Sequence, residues 1–201
     1  MATERRSYMN SKNFSIRELC YIAIFAAIIM VCAQITIPMP YGVPMTLQTF
    51  AIPLAGVVLG IKNGTTATLV YVLLGLMGVP VFAGFTGGIG IVFGRTGGFI
   101  MSFPLMALAA GIGANCSKKN NLKNNLWLAL WLIIGAVVNY ICGMLMFSFI
   151  HFGSISFDNL IASFSLVVVP FIPTAIIKII MVLVLGRAIE RNWNKMRSRY
   201  N

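Results

Sequence analysis

Long apolar stretches broken by short polar or proline- and glycine-rich segments run from end to end of the chain. The apolar runs lie at about 16–37, 45–61, 65–82, 98–116, 126–150 and 160–189. At ~1.5 Å of rise per residue, about twenty such residues cross a hydrocarbon layer ~30 Å thick. Each run has a legible stop. Pro38, Pro40, Gly42 and Pro44 cannot continue the first helix, and Lys62-Asn63-Gly64 reads as a turn between the second and third. A glycine-rich stretch over 84–98 follows the third, the polar run 117–125 separates the fourth and fifth, and a loop with His151, Gly153 and Asp158 precedes the last. Pro53 sits inside the second run, where neighbouring helices can re-satisfy the carbonyl it frees. The last run exceeds one span and carries Pro170 and Pro173, which predicts a kink or a short helix packed before the true sixth helix. The pattern predicts an all-α integral membrane protein: six transmembrane helices in one membrane domain over 1–201, with 1–15 as a tail.

Composition agrees, with 59% hydrophobic and 9% charged residues, where soluble domains are about a quarter charged. A net charge of +11 would suggest nucleic acid in a soluble protein, but here the basic residues cluster at the ends of apolar runs, which argues against a nucleic-acid partner. They mark topology instead. Arg5, Arg6, Lys12 and Arg17 lie in the N-terminal tail or at the very start of the first helix, Lys62 follows the second, and Lys118, Lys119 and Lys123 follow the fourth. Arg187, Arg191, Lys195, Arg197 and Arg199 end the chain, whereas the alternate loops hold only Arg95. The positive-inside rule then places both termini, the 2–3 turn and the 4–5 loop in the cytoplasm of a multi-pass cell-membrane protein. The first run is too long for a secretory h-region and no small-residue cleavage site follows it. Cys20, Cys32, Cys116 and Cys142 are scattered singly and read as small packing residues, with no metal-ligand spacing.

Once the basic residues are assigned to loops, one cation remains inside a span, Lys178, and one on the outer side, Arg95. An ionisable group at membrane depth is costly unless it faces protein or water, so it points to function. Lys178 lies nine residues before Arg187, roughly 13 Å deep by helical rise, with an anionic ligand or Asp158 as natural partner. The four acids are Glu4, Glu18, Asp158 and Glu190, so no helix interior offers a carboxylate for ion coupling. That disfavours a self-sufficient secondary carrier, as does the lack of an obvious repeat between the halves. A membrane enzyme is disfavoured too: His151 has no nucleophile or second acid at a legible spacing, and no catalytic residue is assigned. The glycines of 84–98 fail as a phosphate loop, because Ile89 stands where Walker A needs glycine and Arg95 where it needs lysine. Any ATP-driven step must therefore come from another subunit. Ala23 and Ala27 form a small-xxx-small pair that lets another helix approach closely.

Four ordered motifs carry a resemblance. They are Met45-Thr46-Leu47-Gln48-Thr49-Phe50-Ala51, Leu54-Ala55-Gly56 with Leu59-Gly60, Gly75-Leu76-Met77-Gly78-Val79-Pro80-Val81-Phe82-Ala83-Gly84, and Gly94-Arg95-Thr96-Gly97-Gly98-Phe99. The match continues through Tyr140, Gly143 and Pro170-Phe171-Ile172-Pro173 to Lys178. With these motifs the chain closely resembles the BioY family, the biotin-specific S components of energy-coupling-factor (ECF) transporters. The resemblance implies an S-component fold, high-affinity biotin capture from outside, no cofactor, and docking onto a transmembrane coupling subunit that carries two ATPases. Ala23 and Ala27 match the small-residue pattern such proteins present to the coupling subunit. The family usually has Pro at the position of Arg95 and Gly-Asp at Thr174-Ala175, which leaves Asp158 as the outer carboxylate available to Lys178.

Biotin has a carboxylate tail, a ureido ring that donates and accepts hydrogen bonds, and an apolar thioether ring, so its pocket needs a cation, paired polar groups and an apolar wall. The expected set is Lys178 and Arg95 for the carboxylate, Asp158, Asn139 and Gln48 for polar contacts, and Phe85, Thr86 and Tyr140 for the wall, with the 1–2 loop as a lid. The lysine asymmetry gives the first testable outcome: single cysteines in the 117–125 loop should resist a membrane-impermeant thiol reagent in intact cells, and cysteines near Asp158 should react. External labelling of the 4–5 loop would overturn this topology.

Overall fold

The computed structural model describes residues 15–117 and 121–197, with side chains as far as residue 189. The tail over 1–14, Lys118, Lys119 and the basic side chains beyond 189 lie outside the described residues. In chain order the elements are α1 (Ile16–Gln34), the strands β1 (Thr36–Ile37) and β2 (Met45–Thr46), α2 (Gln48–Leu76), α3 (Ile89–Val92) and α4 (Gly97–Cys116). They continue with α5 (Leu122–Phe152), α6 (Phe157–Val167) and α7 (Ile172–Arg197), and 3-10 turns occupy Pro40–Gly42 and Val169–Phe171.

The hydrogen-bonded helix α2 is two arms rather than one rod. Gly60 adopts φ 80°, ψ −178°, a conformation open to glycine and closed to other residues. A Cβ built on Gly64 would lie 2.7 Å from the Ala55 carbonyl oxygen and 2.7 Å from the Gly56 Cα. Eight residues along an uninterrupted helix would separate these positions by ~12 Å, so the chain folds back on itself at Gly60. The reversal therefore falls two residues before the expected Lys62-Asn63-Gly64 turn, whose residues lie in the returning arm. That arm ends at Leu76 rather than near 82, because residues 77–82 turn back until the Phe82 ring covers Gly75, where a Cβ would stand 2.1 Å from its Cζ. With the two arms counted separately, α1, α2, α4, α5 and α7 make six transmembrane helices.

The long final run is divided as its prolines require: α6 ends, Pro170 opens the 3-10 turn, and Pro173 sits in the first turn of α7, where its missing N–H costs nothing. Other boundaries move by a few residues, except that α7 runs on to Arg197, past the expected 189; α5 begins at Leu122 with the Asn121 side chain accepting from the Asn124 N–H. Helix α4 is the most enclosed span, packed against α2 and α5, while α1, α5 and α7 turn many Leu, Ile and Val side chains outward, as a bilayer solvent allows.

Polar contacts tie the ends of the helices together. The Ser15 N–H donates to Glu18 Oε2 at 3.0 Å, and Asn63 Nδ2 donates to Glu18 Oε1 at 3.4 Å, joining the start of α1 to the start of the returning arm. Arg187 of α7 donates to the Ser117 carbonyl at 2.6 Å and to Asn125 Oδ1 at 3.2 Å, on the connection between α4 and α5. At the other end, β1 pairs antiparallel with β2, Thr36 opposite Thr46, and closes the base of the 1–2 loop. The reversal at Gly60 is testable by substitution. Gly60→Ala should cost about 1–3 kcal/mol and lower the melting midpoint in detergent, since a Cβ there is strained although nothing crowds it. Gly90→Ala, in open space with an ordinary φ, should leave the midpoint unchanged.

Candidate functional site

The start of α2 presents three polar side chains in a row that is otherwise apolar. Thr46 Oγ1 donates to Gln48 Oε1 at 2.8 Å, the Gln48 N–H donates to Thr46 Oγ1 at 3.2 Å, and Gln48 Nε2 donates to the hydroxyl of Tyr71. Tyr71 is fully buried on the returning arm and packs edge-on against Phe82, ring centroids 5.6 Å apart. The reversal at Gly60 is what brings residue 71 beside residue 48. Two backbone N–H groups, of Phe50 and Ala51, both bond the Leu47 carbonyl, so the helix does not use the carbonyl of Thr46. Lys178 uses it: the ammonium donates to Thr46 O at 2.7 Å and to Thr49 Oγ1 at 2.9 Å, with the residue 8% exposed.

From α5, Asn139 donates both amide hydrogens, to the Phe99 carbonyl at 2.9 Å and to Ser102 Oγ at 2.8 Å. Its Oδ1 has no donor among the described residues. One turn further on, Gly143 leaves room for the Phe99 ring, which a Cβ would meet at 2.2 Å. Gly143 under Phe99 and Gly75 under Phe82 are matching devices: each missing side chain lets an aromatic ring lie flat against a helix and sets how far it projects.

These groups enclose a cavity of about 280 Å³, near the lower limit of ligand pockets. Its wall includes Phe82, Phe99, Phe103, Tyr140 and Phe171, and its polar lining includes Thr46, Gln48, Thr49, Thr86 and Asn139. Gly42, Val43 and Pro44 of the 1–2 loop line it as well. A separate crevice of about 10 Å³, which shares Thr49, Asn139 and Tyr140 with the cavity lining, is lined by Lys178.

Of the residues expected at the site, Gln48, Thr86, Asn139 and Tyr140 line this cavity, and Lys178 stands directly behind Thr46 and Thr49. Three others are placed elsewhere. Phe85 is 72% exposed at the tip of a tight turn (φ 56°), and its N–H donates to Gln34 Oε1 at 2.9 Å. Arg95 is exposed and donates to the Tyr41 carbonyl at 3.1 Å. Asp158 is exposed in the first turn of α6, where the helix dipole favours a carboxylate, and the partners of Lys178 are Thr46 and Thr49 instead. Sequence reasoning did not assign Thr46, Thr49, Tyr71, Phe99 or Gln34. Gln34 donates to the carbonyls of Met30, Val81 and Phe82, each at 3.2 Å, and so fastens the end of α1 to the glycine-rich loop. The available signal was the same in each polar case, a hydrogen-bonding side chain at the end of an apolar run.

Six membrane helices around an enclosed, largely aromatic pocket with a few inward polar groups define a membrane-embedded binding protein for a small molecule. Family comparison makes the class particular: the chain belongs to the BioY family, whose model matches residues 7–195. It is 36% identical to a probable biotin transporter of Pyrococcus horikoshii, over 88% of this chain and 98% of that one. It is 34% identical to a biotin transporter of Lactococcus lactis subsp. cremoris, over 90% and 93% of the two chains. Among solved structures it superposes on the S-component for biotin from an ECF-type ABC transporter with a TM-score of 0.72 at 25% identity, covering 88% of this chain and 92% of that one. Proteins of this family and fold are substrate-binding transporter subunits rather than enzymes.

Proposed function

We propose that this chain is the biotin-capturing subunit of an ATP-driven ECF transporter and that the 280 Å³ cavity is its biotin site. The observation that carries the reading is the junction of Lys178, Thr46 and Thr49 beside the aromatic wall. The ammonium has three N–H groups and spends two on these partners, so one remains for a ligand carboxylate. The Thr49 hydroxyl lies 3.5 Å from the Thr46 carbonyl, a weak contact that leaves its proton able to turn to the same carboxylate. At the polar lining, Asn139 Oδ1 accepts from a ureido N–H, and Gln48 has a second amide hydrogen for the ureido oxygen. The rings of Phe82, Phe99, Phe103 and Tyr140 pack against the bicyclic body, with Thr86 at the rim.

The partners follow from the family and from one exposed helix face. Ala23 and Ala27 of α1 are exposed, flanked by Leu19, Ile24, Ile28 and Val31, also exposed, so α1 presents a smooth apolar stripe to a further helix. In this reading the stripe meets the coupling subunit, two ATPases drive transport, and the termini, the Gly60 reversal and the 117–125 loop face the cytoplasm. Replacing Ala23 or Ala27 by Leu should reduce biotin uptake in cells while purified protein binds biotin as before. Equal loss of binding would assign the alanines to internal packing.

The site itself is tested with an uncharged ligand. Losing a charge-assisted hydrogen bond in a dry pocket costs roughly 2–3 kcal/mol, about a hundredfold in affinity. Lys178→Ala should weaken biotin by that factor in calorimetry. Biotin methyl ester, which lacks the anion, should bind the unaltered protein poorly and lose little more on the substitution. Equal losses for acid and ester would make Lys178 a strut for the 1–2 loop and α2 rather than a ligand contact.

A further inference from the structure

The 1–2 loop is held over the cavity from outside by two residues that the cavity lining does not include. Tyr41 sits at φ 69°, an uncommon conformation for a residue with a side chain, and Gly42 follows at φ 79°. Such a conformation persists where surrounding contacts over-determine it. Two such contacts meet at Tyr41. Its carbonyl accepts from Arg95 Nη1 at 3.1 Å, and the same nitrogen would lie 3.5 Å from a Cβ on Gly42, so the guanidinium rests against the loop backbone. Its ring meets His151 edge-on, centroids 5.9 Å apart at 79°. His151 is itself fixed by stacking on Phe147 (5.0 Å, 21°) and by an edge contact with Phe152 (4.7 Å, 82°). Its Nδ1 is buried without a hydrogen-bond partner among the described residues, so aromatic packing places the ring. Arg95 belongs to the segment before α4 and His151 to the end of α5, so two separate elements grip one residue. The three residues that follow it, Gly42, Val43 and Pro44, line the cavity.

We propose that Arg95 and His151 are positioning residues that latch the 1–2 loop shut through Tyr41 and so set the rates at which ligand enters and leaves. This rests on the reading of the cavity as a biotin site. The latch contacts involve no ligand atom, so they are made equally in the free and the occupied protein. A contact of that kind changes how often the loop opens in both states and leaves the affinity unchanged, because only a differential interaction shifts a binding equilibrium. A residue that touches the ligand behaves otherwise, its loss appearing mainly in the dissociation rate and therefore in Kd.

The experiment measures biotin association and dissociation by stopped flow on the full chain in detergent or nanodiscs, for the unaltered protein, Arg95→Ala, His151→Leu and His151→Phe. Arg95→Ala and His151→Leu should raise both rates together, about three- to tenfold, with Kd held within about twofold. His151→Phe, which keeps a ring against Tyr41, should restore most of the slow exchange. Amide hydrogen exchange at Tyr41, Gly42 and Val43 in the ligand-free protein is the second readout, and it should speed up in Arg95→Ala and His151→Leu. A rise in dissociation alone, with weaker Kd for biotin and none for its methyl ester, would place Arg95 on the carboxylate and overturn the latch. Unchanged rates and unchanged loop exchange would also overturn it. Were the unaltered protein to bind no biotin, the functional reading would fail by itself, and loop exchange would still decide the latch.

Discussion

A buried ammonium is the constraint around which the cavity-bearing half of this molecule is arranged. Charge at membrane depth is tolerated where hydrogen bonds replace water, and Lys178 obtains them from a carbonyl and a hydroxyl 132 and 129 residues earlier in the chain. The carbonyl is available because α2 starts with both early N–H groups directed to Leu47, and because β2, paired with β1, delivers Thr46 in extended form to the mouth of the helix. A regular helix running through residue 46 would bond that carbonyl to its own fourth neighbour. The short strand pair is therefore what converts an ordinary helix start into a cation-binding edge. The same Thr46 orients Gln48 through its hydroxyl, so one residue serves the lysine with its backbone and the amide with its side chain.

The span pattern was legible because the bilayer demands it: twenty apolar residues and basic flanks leave few alternatives. Lys178 stood out for the same reason, as did the prolines that split the last run. What escaped was decided by contacts between distant segments. Lys62-Asn63-Gly64 looks like the turn because its residues are polar, yet Gly60 makes it, since the arms must approach to the distance that Gly64 and Gly56 permit. Asp158 and Arg95 drew notice as outer charges near a presumed anion site. Exposure removes the energetic reason for such charges to seek one another, and each found a local role, at a helix start and on a loop carbonyl. Thr46, Thr49 and Tyr71 carry no charge and so gave no warning at the level of composition, although their polar atoms complete the site.

Shape is set by a different mechanism from polarity. Phe82 and Phe99, both lining the cavity, each lie against a glycine that could accept no methyl group without displacing the ring. Packed interiors respond to volume changes of a single methylene, so these two glycine–ring pairs fix the width available to a ligand far more firmly than exposed loops could. Discrimination on the apolar side rests on steric fit. On the proposed reading, discrimination on the polar side rests on leaving Asn139 Oδ1 or the third Lys178 N–H unpaired when the wrong molecule enters.

A pocket built this way must still open, and the helices that form it are poor candidates for moving. The arms of α2 are interlocked with α4 at Gly56, Gly111 and Ile61 by contacts too close for a side chain. The cover is of another kind: the 1–2 loop is closed at its base by two residue pairs of β-structure, and the glycine-rich loop is held by a few bonds, from the Gln34 amide and from the Gly88 N–H to the Gly75 carbonyl at 2.7 Å. Segments with few buried contacts and sparse hydrogen bonding have the lowest local opening free energies. On the proposed reading of the cavity, ligand exchange belongs to these two loops, while the helices hold the recognition groups still.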